Sequence, residues 1–152
     1  MIQNYIDAWM KYKDKYRKWL ESIIYNWDNN PKYIDLIKHI IADVINPYLD
    51  EEYRDFPFNE KLMLDKLKVI DDGYYQGTQI FILPIDTYAP MVCEYVFTHT
   101  FYGSCSGCDA LLDALSQSEY DEPLSKNTVD DLMTISLHLI EKFRPLAEEM
   151  EY

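Results

Sequence analysis

The chain has 152 residues, 48% of them hydrophobic and 15% aromatic, which is the length of one domain and too rich in core-forming side chains for a disordered protein. The formal net charge is −13, and residues 101–152 carry −8 of it through 11 acidic and 3 basic residues. Because affinity for nucleic-acid backbones comes from Lys and Arg, this balance argues against direct nucleic-acid binding and favours a protein partner with a basic surface.

The sequence also indicates where in the cell the protein is expected to be. No segment approaches the roughly 20 apolar residues that span a bilayer, and the first 25 residues are charged throughout, unlike a signal peptide. Three cysteines, an odd number, do not fit the fully paired disulfide framework of a small secreted protein. We therefore expect a cytoplasmic protein without a membrane partner, and the sequence leaves its oligomeric state open.

The first third of the chain has helical periodicity. Apolar residues recur every three or four positions from about residue 3 to 27, and again from Pro31 to Asn46. These two stripes predict an αα-hairpin over residues 1–46, which ends at Pro47 because proline lacks a backbone N–H. Residues 47–67 are predicted to be a connection that contains a short helix, followed by a strand near residues 68–71.

The second half alternates strand and helix signals. "TQIFILPI" and "MVCEYVFTHTF" are rich in β-branched and aromatic residues and predict an antiparallel hairpin. We expect residues 68–118 to form a strand–strand–helix unit, and residues 119–152 to contain a last helix, about 128–149, that Pro145 kinks or ends. The predicted fold is one α+β domain, residues 1–152: a small antiparallel sheet of two to four strands, packed by the N-terminal αα-hairpin and the C-terminal helices.

"YGSCSGCD", residues 102–109, contains the only clear candidate for chemistry. Cys105 and Cys108 form a CxxC pair at a predicted helix N-terminus, where the helix dipole favours a thiolate. One hypothesis is a thiol-redox pair. Another is a zinc site that adds His99 and one further ligand, whereas Cys93 lies too far along the strand to join it and is predicted to be a buried small hydrophobe.

The same residues also fit a purely structural interpretation. Ser106 and Asp109 match a capping box, Gly103 and Gly107 would permit positive φ, and the small thiols are expected to pack beneath neighbouring aromatics. Free N–H groups at such a helix start also favour an anionic ligand or an acidic side chain of a partner. The candidate binding residues for this hypothesis are Gln76, Gly77, Tyr102, Gly103, Ser104, Ser106, Gly107 and Asp109.

The sequence does not indicate a catalytic residue. His39 and His138 are interpreted as packed or surface histidines within helices, and no serine or cysteine has a recognisable base and orienting partner in sequence. We therefore expect a non-enzymatic protein without a cofactor, with zinc as the alternative.

Two segments carry a resemblance to a known group of proteins. "YYQGTQIFILP" and "FYGSCSGCDALLDAL" resemble uncharacterised small proteins of bacteriophages and mobile elements that share a YQG turn, here residues 75–77, a strand pair and a YGSCSGCD signature. The resemblance covers about residues 70–115. It implies a phage origin, and it implies that the YQG turn and the signature belong to one structural unit.

Charge and resemblance together give the leading functional hypothesis. We expect a phage-encoded, acidic, non-enzymatic binding protein that inhibits or modulates a host defence or nucleic-acid-binding protein in the cytoplasm of an infected bacterium. The alternatives are a CxxC-centred thiol-redox or zinc-binding protein, and a binder of a small anionic ligand at the GSCSG helix start.

Overall fold

The computed structural model describes residues 2–53, 61–105 and 107–146. Within them the chain has the predicted α+β architecture, with an antiparallel sheet in the order β1-β2-β3-β4. The elements in chain order are α1 (Ile2–Glu21), α2 (Tyr33–Ile40), a π-helical turn (Ile41–Ile45), α3 (Asn46–Tyr53), a 3₁₀ turn (Leu64–Lys66), β1 (Lys68–Asp71), β2 (Gly77–Pro84), a second 3₁₀ turn (Val92–Glu94), β3 (Tyr95–Tyr102), α4 (Ala110–Leu115), α5 (Lys126–Glu141) and β4 (Arg144–Pro145).

The first helix is shorter than its apolar stripe predicts. It ends at Glu21, and the chain then runs extended so that residues 23–25 pair with residues 121–124. The amide of Tyr25 donates to the carbonyl of Glu122 at 2.9 Å, and the amide of Leu124 donates to the carbonyl of Ile23 at 3.0 Å. Backbone pairing with a distant segment overrides the local period, so the prediction of helix to residue 27 is wrong.

The second helical segment passes through the proline that was expected to end it. The amide of Asn46 bonds to the carbonyl of Ile41, five residues back, in the π-helical turn that precedes Pro47. This wider turn accommodates a residue that cannot donate and whose ring would clash with the preceding turn of an α-helix. Part of the predicted connection 47–67 is therefore helical, whereas residues 54–60 lie outside the described residues.

The sheet contains the predicted hairpin and one strand that the sequence analysis missed. β1 lies at the predicted residues 68–71, and β2 and β3 pair with Ile80 opposite His99. α5 ends at Glu141, earlier than predicted, and β4 pairs with Val96 and Phe97 of β3. The predicted end of this helix, near residue 149, lies outside the described residues.

The helices cover one face of the sheet. Phe81, Leu83 and Val96 on that face are buried in the core, whereas Phe101 on the opposite face is 70% exposed. The hydroxyl of Thr98 donates to the carbonyl of Leu139 at 2.7 Å and ties β3 to α5. None of the helices in the described ranges has the length and apolar character needed to cross a membrane.

α1 packs against α5 through a buried polar contact. The hydroxyls of Tyr16 and Ser136 lie 2.6 Å apart, and both side chains are fully buried. Burial raises the pKa of Tyr16 well above its ordinary value. The pair satisfies two hydroxyls that would otherwise be buried without a partner.

Candidate functional site

The signature begins where β3 ends. Tyr102, the last residue of β3, lies opposite Gly77, the first residue of β2, so that the sheet brings the YQG turn and the signature together. The hydroxyl of Tyr102 also donates to the carboxylate of Asp71 on β1 at 2.5 Å. The YQG turn and the start of the signature thus meet at one corner of the sheet.

The hydrogen bond from Tyr102 shifts the titration of both partners. It lowers the pKa of Asp71, which also accepts hydrogen bonds from the amide of Gly73 and the side chain of Gln79. The same bond raises the pKa of Tyr102 to about 12, since ionised tyrosine would face the carboxylate. Asp71 therefore holds the turn most firmly in its ionised form.

The turn between β1 and β2, which includes the YQG residues, contains two glycines that have no room for a side chain. A Cβ at Gly73 would lie 2.0 Å from the carbonyl oxygen of Gln76, and a Cβ at Gly77 would lie 2.6 Å from a carboxylate oxygen of Asp72. Asp72 in turn accepts the amide of Thr78 at 2.6 Å. Close backbone approach therefore explains both glycines.

Three of the predicted binding residues line a groove at this corner, and four more lie in the turn that follows β3. An open groove of about 500 Å³ is lined by Asp72, Gln76, Gly77, Thr78, Phe101 and Tyr102. Gly103, Ser104, Gly107 and Asp109 belong to the following turn. The predicted ligand set is therefore divided between a groove and a turn.

Asp109 organises the turn that leads into α4. One carboxylate oxygen accepts the amides of Leu111 at 2.9 Å and Leu112 at 3.3 Å, and the other accepts the amide of Gly103 at 2.9 Å. α4 begins at Ala110, and Asp109 is its N-cap. The prediction that Ser106 caps this helix is wrong, and Ser106 itself lies outside the described residues.

The contacts of Asp109 bear on the anion hypothesis. The two amides at the start of α4 already bond to a carboxylate of the chain itself, and Asp109 is only 7% exposed. An external anion at this position would compete with that buried carboxylate. Asp109 thus serves the structure of the turn.

Tyr33 is a residue of this site that sequence reasoning missed. It opens α2, and its hydroxyl donates to Asp109 at 2.9 Å and accepts the amide of Leu111 at 3.2 Å. Burial and the neighbouring carboxylate raise the pKa of Tyr33 to about 12. Tyr33 lies 76 residues from Asp109 in the chain, so no local pattern signals the contact.

The two glycines of the signature differ in their surroundings. A Cβ at Gly103 would lie 2.6 Å from the carbonyl oxygen of Cys108 and 2.7 Å from its sulfur, whereas a Cβ at Gly107 would meet no atom within 4 Å. Neither glycine has a positive φ, so the turn does not use the left-handed conformation that glycine permits. Gly103 is present because the Cys108 side chain lies directly against the backbone.

The two cysteines of the CxxC form an exposed pair. Their sulfurs lie 2.7 Å apart, and the amide of Cys105 donates to the sulfur of Cys108 at 3.1 Å. Hydrogen bonds from Cys105, with a smaller contribution from Ser104, lower the pKa of the Cys108 thiol. The prediction that these thiols pack beneath aromatic side chains is wrong, because both residues are exposed.

The geometry does not fit the proposed zinc ligand set. Two thiolates on a tetrahedral zinc ion lie about 3.8 Å apart, given Zn–S bonds of about 2.3 Å. The described residues contain no group of three or more His, Cys, Asp or Glu side chains that could hold a metal ion, so His99 does not join Cys105 and Cys108 in such a site. The pKa of His99 is lowered by burial and by the nearby Lys142.

Cys93 lies away from the other two cysteines. It is in the 3₁₀ turn before β3, whereas Cys105 follows the far end of that strand, and eight residues of strand span about 27 Å. Cys93 is exposed, so the prediction that it is buried is wrong.

A cleft opens beside Cys108. It has a volume of about 310 Å³ and lies between the end of β3 and α5. His138 of α5, Lys142 directly after α5 and Phe101 of β3 line it together with Cys108. Cys108 therefore lines a cleft that a lysine side chain also lines.

A second feature lies where residues 23–25 pair with residues 121–124. The rings of Tyr25 and Tyr120 pack edge to face with centroids 6.3 Å apart, and Tyr120 remains 54% exposed. Trp27, in the turn that follows residue 25, is 85% exposed.

Exposed acidic residues are the chain neighbours of these two aromatics: Asp28 follows Trp27, and Glu119 and Asp121 flank Tyr120. We define the acidic surface as Trp27, Asp28, Glu119, Tyr120, Asp121 and Glu122, all of which are exposed. Residues 113–131 contain six acidic residues against the single base Lys126. Asp121 has a φ of 63°, a left-handed conformation that aspartate tolerates better than most residues. Sequence reasoning recognised the acidic C-terminal third but missed the exposed aromatic side chains of Tyr120 and Trp27.

Comparison of the chain with protein families, with curated proteins and with solved structures finds no match in any of the three.

Proposed function

We propose that this chain is a phage-encoded, non-enzymatic binding protein whose acidic surface covers a basic surface of a host protein in the cytoplasm of an infected bacterium. The observation that carries the proposal is the exposure of Trp27 and Tyr120 among four exposed carboxylates. The phage origin rests on the resemblance of residues 70–115.

The aromatic side chains supply the affinity in this proposal. Trp and Tyr are enriched among the residues that dominate binding energy, because each buries a large apolar area while keeping a polar group for hydrogen bonding. Trp27 contributes little to the core, since 85% of its surface is exposed. A partner that covers this side chain would gain that burial.

The carboxylates supply the selectivity. Asp28, Glu119, Asp121 and Glu122 attract a basic surface over a distance and disfavour acidic partners. A host protein that binds nucleic acid or acts in defence through a cationic surface has the required chemistry. The same charges repel nucleic acid itself, so we propose a protein partner.

The proposal is tested by capture from a bacterial lysate with charge-matched variants. The first variant neutralises the acidic surface as Asp28→Asn, Glu119→Gln, Asp121→Asn and Glu122→Gln. The control removes the same charge elsewhere, at the exposed residues Asp7, Asp14, Asp65 and Asp86, each changed to Asn. Asparagine is chosen at position 121 because it also tolerates a left-handed conformation.

The expected result is a host protein that the wild type and the control retain and that the acidic-surface variant loses. The captured protein should present a basic surface, and raised salt should release it, since screening weakens exposed charge pairs. Equal capture by both variants would contradict the proposal. Failure of the wild type to retain any protein would also contradict it.

A further inference from the structure

The pair of thiols at residues 105 and 108 is not used by the proposed binding function. We propose that Cys105 and Cys108 form a reversible thiol–disulfide exchange site for small anionic disulfides of the glutathione type, in which Cys108 attacks and Cys105 resolves. The geometry behind this proposal is the 2.7 Å separation of two exposed sulfurs at the edge of a cleft.

The separation is well suited to an intramolecular disulfide. A disulfide bond is about 2.05 Å long, so the two sulfurs must approach by less than about 1 Å. Gly103 provides the space, because its missing Cβ would lie 2.7 Å from the Cys108 sulfur. Asp109 fixes both ends of the turn through the amides of Gly103 and Leu111.

The roles of the two cysteines follow from their surroundings. Cys108 lines the cleft, and it receives hydrogen bonds from Cys105 that favour its thiolate form. The thiolate is the nucleophile in disulfide exchange. Cys105 lies within bonding reach of the sulfur that would be attacked in the second step.

The cleft also indicates the charge of the disulfide. Lys142 lines the same cleft as Cys108, and its ammonium group donates to the carbonyl of His99 at 3.5 Å, in a chain whose net charge is −13. His138 lines the same cleft from the preceding turn of α5. A disulfide that bears carboxylates, such as glutathione disulfide, would bind next to Lys142, whereas a cationic disulfide would gain nothing there.

The reaction proceeds in two exchange steps. The Cys108 thiolate attacks one sulfur of glutathione disulfide, forms a mixed disulfide and releases one glutathione thiolate. The Cys105 thiol then gives up its proton and attacks the Cys108 sulfur, which forms the Cys105–Cys108 disulfide and releases the second glutathione. Counted from the two protonated thiols, the protein loses two electrons and two protons: one proton leaves when the Cys108 thiolate forms and one when Cys105 attacks, and the two glutathione thiolates take them up as thiols. Excess glutathione reverses both steps.

The test uses the full chain with Cys93→Ser, so that only the two paired thiols remain. The protein is equilibrated with mixtures of reduced and oxidised glutathione, quenched with acid, alkylated and weighed by intact mass spectrometry. We expect one intramolecular disulfide. With Cys105→Ser added, a glutathione adduct should accumulate on Cys108, and with Cys108→Ser added, adduct formation should slow at least about tenfold.

Two controls make the outcome specific. Lys142→Met should slow the reaction with glutathione disulfide but not the reaction with cystamine, a disulfide with two positive charges. The chain with Cys105→Ser and Cys108→Ser, which keeps Cys93, gives the rate of a solitary exposed thiol. The proposal is overturned if both thiols of the Cys93→Ser protein stay reduced when all the added glutathione is glutathione disulfide. It is also overturned if Cys108 in the Cys105→Ser variant reacts no faster than Cys93 in the chain that keeps only Cys93. Circular dichroism confirms that each variant is folded.

Discussion

Asp109 shows how one side chain determines the local structure of the signature. Its carboxylate accepts amides from both ends of the turn and the hydroxyl of Tyr33, and it is almost fully buried. The sequence contains part of this information, since an acidic residue before an apolar helix is a recognisable cap. The partner Tyr33 cannot be read from the sequence, because the contact depends on how α2 packs against α4.

Asp109→Ala should destabilise the protein by about 2–4 kcal/mol. Loss of a helix cap costs about 1 kcal/mol, and each buried donor that loses its partner adds about 1–3 kcal/mol. Urea unfolding measures the change. Asp113→Ala, on the exposed face of the same helix, is the matched control and should stay within about 0.5 kcal/mol of the wild type. Equal losses in the two variants would show that the Asp109 contacts are not the basis of the turn.

Gly103→Ala should lower the stability of the folded protein, whereas Gly107→Ala should leave it unchanged or raise it. A Cβ at position 103 would meet the Cys108 backbone and sulfur, and such overpacking costs about 1–3 kcal/mol. At position 107 the space is open and φ is not positive, so alanine should be neutral or stabilise by up to about 1 kcal/mol through the unfolded state. Thermal unfolding of the two variants compares them, and a stable Gly103→Ala protein would argue against the close packing of Cys108.

Tyr102→Phe should raise the pKa of Asp71. The folded-state pKa of this carboxyl is below its ordinary value of 3.8, chiefly because of the Tyr102 hydrogen bond. Its contribution to stability is therefore complete above that ordinary value and is lost as the pH falls through the lower folded-state pKa.

Carboxyl NMR titration measures this shift directly. In the Tyr102→Phe protein the Asp71 titration should move upward, and the acid limb of the stability profile attributable to Asp71 should shrink. Tyr75→Phe, in the same corner and 70% exposed, is the control and should leave the titration unchanged. An Asp71 titration that is identical in wild type and Tyr102→Phe would contradict the assignment.

At the scale of elements, the periodicity and composition of the sequence predicted the helices and strands that depend mainly on nearby residues. The β2–β3 hairpin, β1 and α4 lie where their composition places them. The predictions are wrong where a segment pairs with a distant part of the chain. Residues 23–25 are not helical because they pair with residues 121–124, and β4, which was not predicted, pairs with the edge of β3. The helix through Pro47 is a different case, because a π-helical turn is not encoded by any simple residue pattern.

The contact between α1 and α5 provides a test at this scale. Tyr16→Phe leaves the buried hydroxyl of Ser136 without its partner and should cost about 1–3 kcal/mol. Ser136→Ala should also destabilise, and the double variant should cost less than the sum of the two by about 1 kcal/mol. Denaturant unfolding of the four proteins completes the cycle, and strict additivity would mean that the two hydroxyls do not interact.

At the scale of the whole molecule, the fold class follows from the order of helix and strand signals along the chain, and the structure confirms it. The proposed binding surface could be predicted only in part from the sequence. Net charge is visible in the sequence, but the apolar stripe that includes Trp27 predicts a buried helical residue. The pairing of residues 23–25 with 121–124 instead leaves Trp27 outside the helix and exposed.

The most direct test of the central claim is the affinity of the captured host protein for the wild type and for Trp27→Ala, measured by calorimetry together with unfolding of both proteins. Because Trp27 is 85% exposed, its loss should change the free energy of unfolding by less than about 0.5 kcal/mol. The affinity should fall by about 30-fold or more, which corresponds to a central interface residue of at least about 2 kcal/mol. An unchanged affinity in a folded Trp27→Ala protein would contradict the claim that this surface binds the partner.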